Sequence, residues 1–203
     1  GLSDTMVLIR FNPHTDPLVV LSLPRDTRTL VQCRMTKLNE ANQEGGPALS
    51  ARSVSDLLGG VEIDRYVRIN VQGVEKLIDA LGGVEVNVPK DMKYQDDSQH
   101  LYINLKAGEQ RLDGDKAMQF LRFRYDDNGD IGRVQRQQMF MRSLANQALN
   151  PTTIARLPKI LSVIQSHVDT NLSVEELVAL VGYGSQTERS DVQMLMLPGE
   201  FSN

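Results

Sequence analysis

The chain has 203 residues, with 22 basic and 26 acidic side chains and a formal net charge of −4. A single domain is the default expectation for this length. The negative balance argues against a general nucleic-acid surface, because such surfaces need clustered positive charge. The one cysteine, Cys33, excludes an intramolecular disulfide framework and is predicted to be a structural, buried thiol. Since no run of about 18 apolar residues occurs and the first residue is Gly1 rather than methionine, a soluble fragment of a longer chain is predicted.

The chain opens with two short apolar runs that are separated by a turn composition. Met6 to Phe11 and Pro17 to Leu23 are rich in Val, Ile and Leu, and they predict a β-hairpin or two neighbouring strands. The second run ends in the sequence Pro24-Arg25-Asp26-Thr27. Charged side chains are therefore expected at the carboxyl end of a strand, where open α/β sheets usually form their sites.

Helix and strand patterns then alternate through the first half of the chain. A helix is predicted from Ala48 to Leu58 and a strand from Val61 to Asn70. Apolar residues spaced i, i+3, i+4 and i+7 predict an amphipathic helix that ends at Gly82-Gly83, and an alternating strand follows from Val84 to Val88. The polar segment Lys90 to Leu105 is predicted to be an exposed excursion or a hairpin.

The second half is predicted to be mainly helical. Asp113 can cap a helix that reaches about Leu121, and a long helix is expected from about Gly132 to Leu149. A further helix opens at Pro151 and bends at Pro158, Ser173 to Glu176 forms a capping box, and Val192 to Leu197 is a closing strand. Strands that alternate with helices predict an α/β fold, a three-layer α/β/α domain with a mixed central sheet.

The most informative stretch for chemistry is Leu121 to Gln138, LRFRYDDNGDIGRVQRQQ. It contains four arginines and three aspartates, namely Arg122, Arg124, Arg133, Arg136, Asp126, Asp127 and Asp130. Arg133 and Arg136 are i and i+3 on one helical face, just after a glycine-containing helix start whose free N–H groups favour an anion. Guanidinium groups bind phosphate oxygens bidentately, so the stretch predicts pyrophosphate recognition. The alternative is a solvated helical face with surface ion pairs.

A second group of charges could contribute to the same chemistry. Arg25 and Asp26 follow the second strand, and Asp4 precedes the first. Carboxylates suit Mg²⁺, which takes one or two of them and completes its shell with water and phosphate oxygens. As the alternative, Asp26 orients Arg25 and Asp4 is a turn residue.

Other site chemistries find no support in the sequence. His14, His100 and His167 are scattered, so neither a zinc triad nor a serine-type triad is indicated. There is no Gly-rich phosphate loop with its lysine and no dinucleotide fingerprint. The apolar helix positions, among them Val74, Leu77, Ile78, Met139, Met141 and Leu144, are predicted to be core, although methionine-rich surfaces can adapt to a flexible hydrocarbon.

Several motifs in the same order resemble the LytR-CpsA-Psr family over nearly the whole chain. The matching pieces are SDTM from Ser3, SLPRDT from Ser22, KLNEA from Lys37, Gly45-Gly46, LIDALGGVEV from Leu77, RFR from Arg122 and GDIGRVQRQQ from Gly129. The resemblance implies residues 1–203 of a single domain whose N-terminal membrane anchor and first strand lie outside this fragment. It also implies a location on the extracytoplasmic face of the membrane.

The resemblance further implies a Mg²⁺-dependent phosphotransferase that moves a glycopolymer from a polyprenyl-pyrophosphate carrier to peptidoglycan. The new bond is a phosphodiester, and pyrophosphate hydrolysis is a possible side activity. The implied roles are catalytic for Arg25, Arg122, Arg124, Arg133 and the base Asp130, substrate-binding for Arg136, Gln137, Lys37 and Asn39, and metal-binding for Asp4 and Asp26. The alternatives are a non-catalytic polyprenyl-phosphate-binding module or a cell-envelope regulator.

Overall fold

The structure, a computed structural model, describes residues 5–10, 18–124, 129–148, 150–186 and 192–196. The strands are β1 (Met6–Arg10), β2 (Leu18–Leu23), β3 (Arg28–Val31), β4 (Arg34–Lys37), β5 (Val67–Ile69), β6 (Val84–Val88), β7 (Met92–Asp96), β8 (Leu101–Leu105), β9 (Gly108–Leu112), β10 (Val168–Thr170) and β11 (Val192–Met196). The helices are α1 (Glu40–Leu57), α2 (Val71–Leu81), α3 (Gly114–Arg122), α4 (Gly129–Ala148), α5 (Pro151–Ile154), α6 (Leu157–His167) and α7 (Val174–Gln186).

The chain divides into two compact units, which are described separately below. The first unit comprises residues 1–68, 170–176 and 186–203, and the second comprises 69–169 and 177–185. The predicted α/β class is confirmed, because helices and strands are interspersed along the chain. The described strands form five small sheets, one of three strands and four of two. No helix among the described residues is long and apolar enough to cross a membrane.

In the first unit, β2 lies at the centre of a mixed three-stranded sheet. It pairs antiparallel with β1, so that Met6 lies opposite Leu23, and parallel with β11, so that Leu195 lies opposite Leu21. The predicted pairing of the first two strands is therefore confirmed. Leu23 packs with Leu38 and other apolar residues of this unit in a small core. That packing fixes the end of β2, from which Arg25 follows.

The β3–β4 hairpin was not predicted from the sequence. Its two-residue turn consists of Gln32 at φ +48° and Cys33 at φ +66°, between the paired residues Val31 and Arg34. Two positive φ angles are typical of the type I′ turn, whose twist matches that of the strands it joins. The prediction that Cys33 is a buried thiol is wrong, because the turn places it in an exposed position. Gln-Cys lacks the asparagine or glycine that usually signals such a turn.

The limits of two further elements differ from their predictions. Helix α1 begins at Glu40 rather than Ala48 and continues across a kink, where Gly45 and Gly46 have non-helical dihedrals. Two helical stretches thus meet at these glycines, and the second stretch corresponds to the predicted helix. The strand predicted from Val61 to Asn70 is limited to the three residues of β5.

In the second unit, the core lies between the β6–β9 and β7–β8 strand pairs and helices α2, α3 and α4. Buried members of this core are Ile78, Val84, Val86, Val88, Met92, Ile103, Leu105, Leu112, Ala117, Phe120, Phe123 and Phe140. The apolar stripes of α2 and α4 contribute to the packing, since Val74 and Leu144 lie against this cluster. The prediction that these apolar positions are core is confirmed for those residues and is wrong for Met139, which is exposed.

The predicted helix signals of this unit are largely confirmed. Helix α2 is capped by Asn70, whose side chain accepts the Gly73 N–H at 2.8 Å, and it ends at Gly82 in the left-handed conformation, φ +85°. Asp113 caps α3 by accepting the N–H of Lys116 at 2.9 Å. The polar segment before it forms the β7–β8 hairpin.

Two helices begin elsewhere than predicted, and a capping box forms as expected. Helix α4 begins at Gly129, three residues before the predicted start. The helix expected from Pro151 is split into α5 and α6, because Pro158 stands near the start of a new helix instead of bending a continuous one. In the capping box, Glu176 N–H donates to Ser173 Oγ and Ser173 N–H donates to Glu176, each at 3.1 Å.

The contact between α2 and α3 is tight enough to require glycine at position 114. The Gly114 N–H donates to the Asp79 carboxylate at 2.8 Å, and a Cβ on Gly114 would lie 2.3 Å from the Glu75 carbonyl oxygen. Gly114→Ala is therefore expected to reduce the free energy of unfolding by about 1–3 kcal/mol, because backbone has to move apart. Thermal unfolding measures the effect. The exposed neighbour Lys116→Ala is the control, and equal stability of the two variants would contradict the prediction.

Candidate anion-binding site

In the first unit, a turn at the end of β2 positions Arg25. The Thr27 N–H and hydroxyl both donate to the Pro24 carbonyl, at 3.0 and 2.7 Å. The Arg25 carbonyl in turn accepts the N–H of Asn39 at 3.1 Å. Asn39 is only 4% exposed. The SLPRDT and KLNEA segments, which are separate in sequence, are therefore held together by backbone hydrogen bonds.

Asp26 lies between two cations in this turn. One carboxylate oxygen is 2.9 Å from Lys37 Nζ, and the other is 3.7 Å from Arg25 Nε. Because Asp26 is 44% exposed, these ion pairs contribute little to stability, but they restrict the directions in which the two cations point. This geometry is the one expected if Asp26 orients Arg25.

The metal site stays a prediction. Among the described residues, no group of three or more His, Cys, Asp or Glu side chains could hold a metal ion. Mg²⁺ can bind with one or two carboxylates and phosphate oxygens, so a smaller donor set is compatible with it. Asp26 supplies one carboxylate, and Asp4, the second candidate, lies outside the described residues.

In the second unit, the arginines at i and i+3 of α4 are nearly buried. Arg133 is 8% exposed and Arg136 is 4% exposed. Arg136 donates to the carbonyl of Phe123, and its guanidinium carbon lies 5.5 Å from the centroid of the Phe123 ring. Stacking on an aromatic face stabilises a guanidinium whose water has been removed. Arg136 therefore links α4 to the end of α3, at the residue between Arg122 and Arg124.

This link brings the two halves of the arginine stretch together although a loop separates them in sequence. Arg122 ends α3, and Arg124 follows one residue after Phe123, both exposed. Gln137, the predicted substrate ligand, is half-buried on α4. Asp130 lies in the first turn of α4, but its side chain is outside the described part, as are Asp126 and Asp127.

Two buried arginines one helical turn apart are costly to a fold. Guanidinium groups stay charged, and each loses hydration when it is buried. A multiply charged anion bound nearby would stabilise this charge further, and guanidinium groups in general match phosphate oxygens with a fork of donors. The solvated helical face, which was the alternative for this stretch, does not describe Arg133 and Arg136, although it does describe Arg124.

A cleft that the sequence did not predict lies beside the end of α3. It has a volume of about 300 Å³ and is called the polar cleft below. Its lining residues are Glu75, His100, Leu101, Tyr102, Asp115, Met118, Gln119 and Arg122. The available signal was the spacing of Asp115, Met118, Gln119 and Arg122, which puts them on one face of α3 and opposite its buried face.

The turn that precedes His100, Leu101 and Tyr102 of the polar cleft is fixed by a carboxylate. Asp96 accepts the Ser98 hydroxyl at 2.6 Å and the N–H groups of Ser98 and Gln99 at 2.9 and 3.3 Å. The Ser98 hydroxyl is the main cause that lowers the pKa of Asp96 below its ordinary value of 3.8, and the backbone N–H groups add to it.

We expect Ser98→Ala to raise the pKa of Asp96 towards 3.8, and NMR titration of the carboxyl carbon measures it. Since the folded pKa is below the unfolded one, the stabilisation of the turn is complete above the unfolded value. It is lost as the pH falls through the folded pKa. Asp97→Asn, in the same turn, is the control, and an Asp96 pKa that does not move in Ser98→Ala would contradict the assignment.

The fold and the site thus define an α/β protein whose buried arginines lie at the junction of α3 and α4. The family model of the LytR_cpsA_psr family matches residues 1–203. The chain belongs to this family, and the resemblance stated from the motifs is confirmed.

Two named relatives and one solved structure illustrate the family. The chain is 36% identical over 189 residues to the polyisoprenyl-teichoic acid–peptidoglycan teichoic acid transferase TagU of Oceanobacillus iheyensis, covering 89% of this chain and 57% of the relative. It is 31% identical over 200 residues to the regulatory protein MsrR of Staphylococcus aureus, covering 97% and 59%. The crystal structure of TagV from Bacillus subtilis superposes with a TM-score of 0.84 at 29% identity, covering 98% of this chain and 78% of that one. The chain therefore spans less than two thirds of either named relative.

Proposed function

We propose that this protein is a phosphotransferase that moves a glycopolymer from a polyprenyl-pyrophosphate carrier to peptidoglycan and forms a phosphodiester. The observation that carries the proposal is the buried pair Arg133 and Arg136, with Arg136 held against Phe123. Charge of this density in a dehydrated position suits a pyrophosphate. A relative named as a teichoic acid transferase supports the choice of substrate class.

In the proposed reaction, a sugar hydroxyl of the acceptor attacks the phosphorus that carries the glycopolymer. A new P–O bond to the acceptor forms, and the bond to the bridging oxygen of the pyrophosphate breaks, so that polyprenyl monophosphate leaves. The hydroxyl proton passes to a carboxylate, for which the proposal names Asp130. In-line phosphoryl transfer depends mainly on positioning and charge neutralisation, which arginines supply without covalent chemistry.

The remaining predicted residues keep their roles within this proposal. Arg122 and Arg124 would neutralise charge on the same pyrophosphate as Arg133, while Gln137 would donate to it. Arg25, oriented by Asp26, would contribute a further guanidinium, with Lys37 and Asn39 as substrate-binding neighbours. Mg²⁺, with Asp4 and Asp26 as its proposed ligands, would supply additional charge neutralisation when bound.

The test uses a short-chain polyprenyl-pyrophosphate oligosaccharide as donor and uncrosslinked peptidoglycan strands as acceptor. Mass spectrometry is expected to show the phosphodiester-linked product together with polyprenyl monophosphate, and EDTA is expected to reduce its formation. Donor consumption without any linked product would contradict the transfer and leave only pyrophosphate hydrolysis. Undiminished transfer in EDTA would remove Mg²⁺ from the proposal.

The second candidate is a non-catalytic polyprenyl-phosphate-binding module that acts in cell-envelope regulation. The relative named regulatory protein MsrR favours it. This candidate predicts tight binding of the donor without turnover under the conditions above. Product formation at a steady rate over many turnovers would exclude it.

A further inference from the structure

The polar cleft has the composition of a sugar-binding site. Its volume of about 300 Å³ is at the lower end of the range for small-molecule sites, which suits one or two sugar rings. Three lining residues, Leu101, Tyr102 and Met118, contribute apolar groups. The others include carboxylates, an amide and a guanidinium, which bind hydroxyl groups as acceptors and donors.

A hydrogen bond restrains the aromatic residue of the cleft before any ligand binds. Tyr102 is 51% exposed, yet its hydroxyl donates to the Asp97 carboxylate at 3.0 Å. On the paired strand, Gln95 donates to the same carboxylate oxygen at 3.0 Å. An exposed ring that is already restrained loses less conformational entropy on binding than an unrestrained one. It is suited to the apolar face of a sugar ring.

Hydrogen bonds also position the polar lining residues of α3. Gln119 accepts the backbone N–H of Asn104 at 3.0 Å and donates to Asp115 at 2.9 Å. The side chain of Gln119 therefore fixes the Asp115 carboxylate, whose remaining lone pairs can accept hydrogen bonds from a ligand. Glu75 adds a second carboxylate from α2, and Arg122 closes the cleft at the end of α3.

We propose that the polar cleft binds a sugar residue of the acceptor glycan. The inference rests on the proposed function, because Arg122 belongs both to the cleft and to the arginine stretch assigned to the pyrophosphate. A sugar bound here has its ring against Tyr102 and its hydroxyl groups hydrogen-bonded to the carboxylates. Arg122 then lies between the acceptor glycan and the phosphate group that is transferred.

The test is a direct binding measurement that does not need the donor. The protein is labelled with ¹³C at its methionine methyl groups and titrated with the reduced peptidoglycan disaccharide that a muramidase releases. Met118 in the cleft is the reporter, assigned through Met118→Leu, and the fully buried Met92 is the internal reference. The Met118 signal is expected to shift and saturate while the Met92 signal stays in place.

Variants then locate the binding. Tyr102→Ala and Glu75→Gln are each expected to weaken the Kd for the disaccharide about tenfold, the loss typical of one good contact. Glu109→Gln is the matched control, since Glu109 lines a different cleft of this unit with Glu85 and Arg111. Thermal unfolding checks that each variant is folded. No saturable shift at Met118, or equal binding by all variants, overturns the proposal.

The transfer assay separates this inference from the proposed function. If both hold, Tyr102→Ala raises the KM for the acceptor about tenfold and changes kcat little. Disaccharide binding at Met118 by a protein that transfers nothing supports the cleft and contradicts the phosphotransferase. Transfer by a protein whose acceptor KM is the same in wild type, Tyr102→Ala and Glu75→Gln overturns the cleft alone.

Discussion

Arg133→Ala is expected to reduce kcat/KM for glycopolymer transfer by about 100-fold or more. This is the loss typical of removing one preorganised group that stabilises charge in a transition state. Arg133 is 8% exposed on α4, one helical turn before Arg136, so its charge acts in a position with little water. The measurement is the initial rate of linked-product formation with the donor and acceptor described above.

Two further variants of α4 show whether the effect is specific. Arg142→Ala removes an exposed guanidinium from the same helix and is expected to leave the transfer rate near that of the wild type. Arg133→Lys keeps the charge but loses the bidentate fork, so an intermediate loss is expected. Thermal unfolding of each variant establishes that it is folded. Wild-type rates in a folded Arg133→Ala protein would show that this arginine does not serve the reaction.

Phe120→Ala is expected to lower the free energy of unfolding by about 3–5 kcal/mol. Truncating a fully buried aromatic side chain loses its transfer free energy and leaves a cavity. Phe120 has no exposed surface, and its ring centroid lies 6.5 Å from that of Phe140 on α4. The ring therefore holds together the two helices that carry the arginine stretch.

Urea unfolding followed by circular dichroism measures this loss. Met139→Ala is the control, because it truncates an apolar side chain of α4 that is 37% exposed, and a loss below about 1 kcal/mol is expected. A similar loss for both variants would contradict the assignment of Phe120 to the core that supports the arginines. Phe120→Ala is also expected to reduce transfer, since Arg136 depends on Phe123 at the end of α3.

Local patterns predicted the elements whose signals are contained within a few residues. Helix α2 was predicted from its apolar spacing and closing glycines, and the capping box at Ser173 from its residue types. Both depend on backbone groups close in sequence, which a short pattern can specify. The apolar pattern did not predict the part of α1 that precedes Gly45 and Gly46, whose dihedrals are non-helical.

Other elements depend on partners that are distant in sequence. Strand β9 begins at Gly108 and contains Glu, Gln and Arg, a composition that does not predict a strand, yet it pairs along its length with β6. The turn at Gln32 and Cys33 similarly follows from the pairing of β3 with β4. In both cases the hydrogen bonds of the partner strand outweigh weak local preference.

The sequence alone determined the family, the α/β class and the stretch that carries the charge. Arginine type and spacing are properties of the chain, so the motif could be identified without coordinates. Only the tertiary structure decided what surrounds those charges. The burial of Arg133 and Arg136, the link of Arg136 to Phe123 and the placement of Arg122 in the polar cleft depend on how α3 packs against its neighbours. Packing brings together residues that no local pattern relates, and it removes the water that would otherwise screen them.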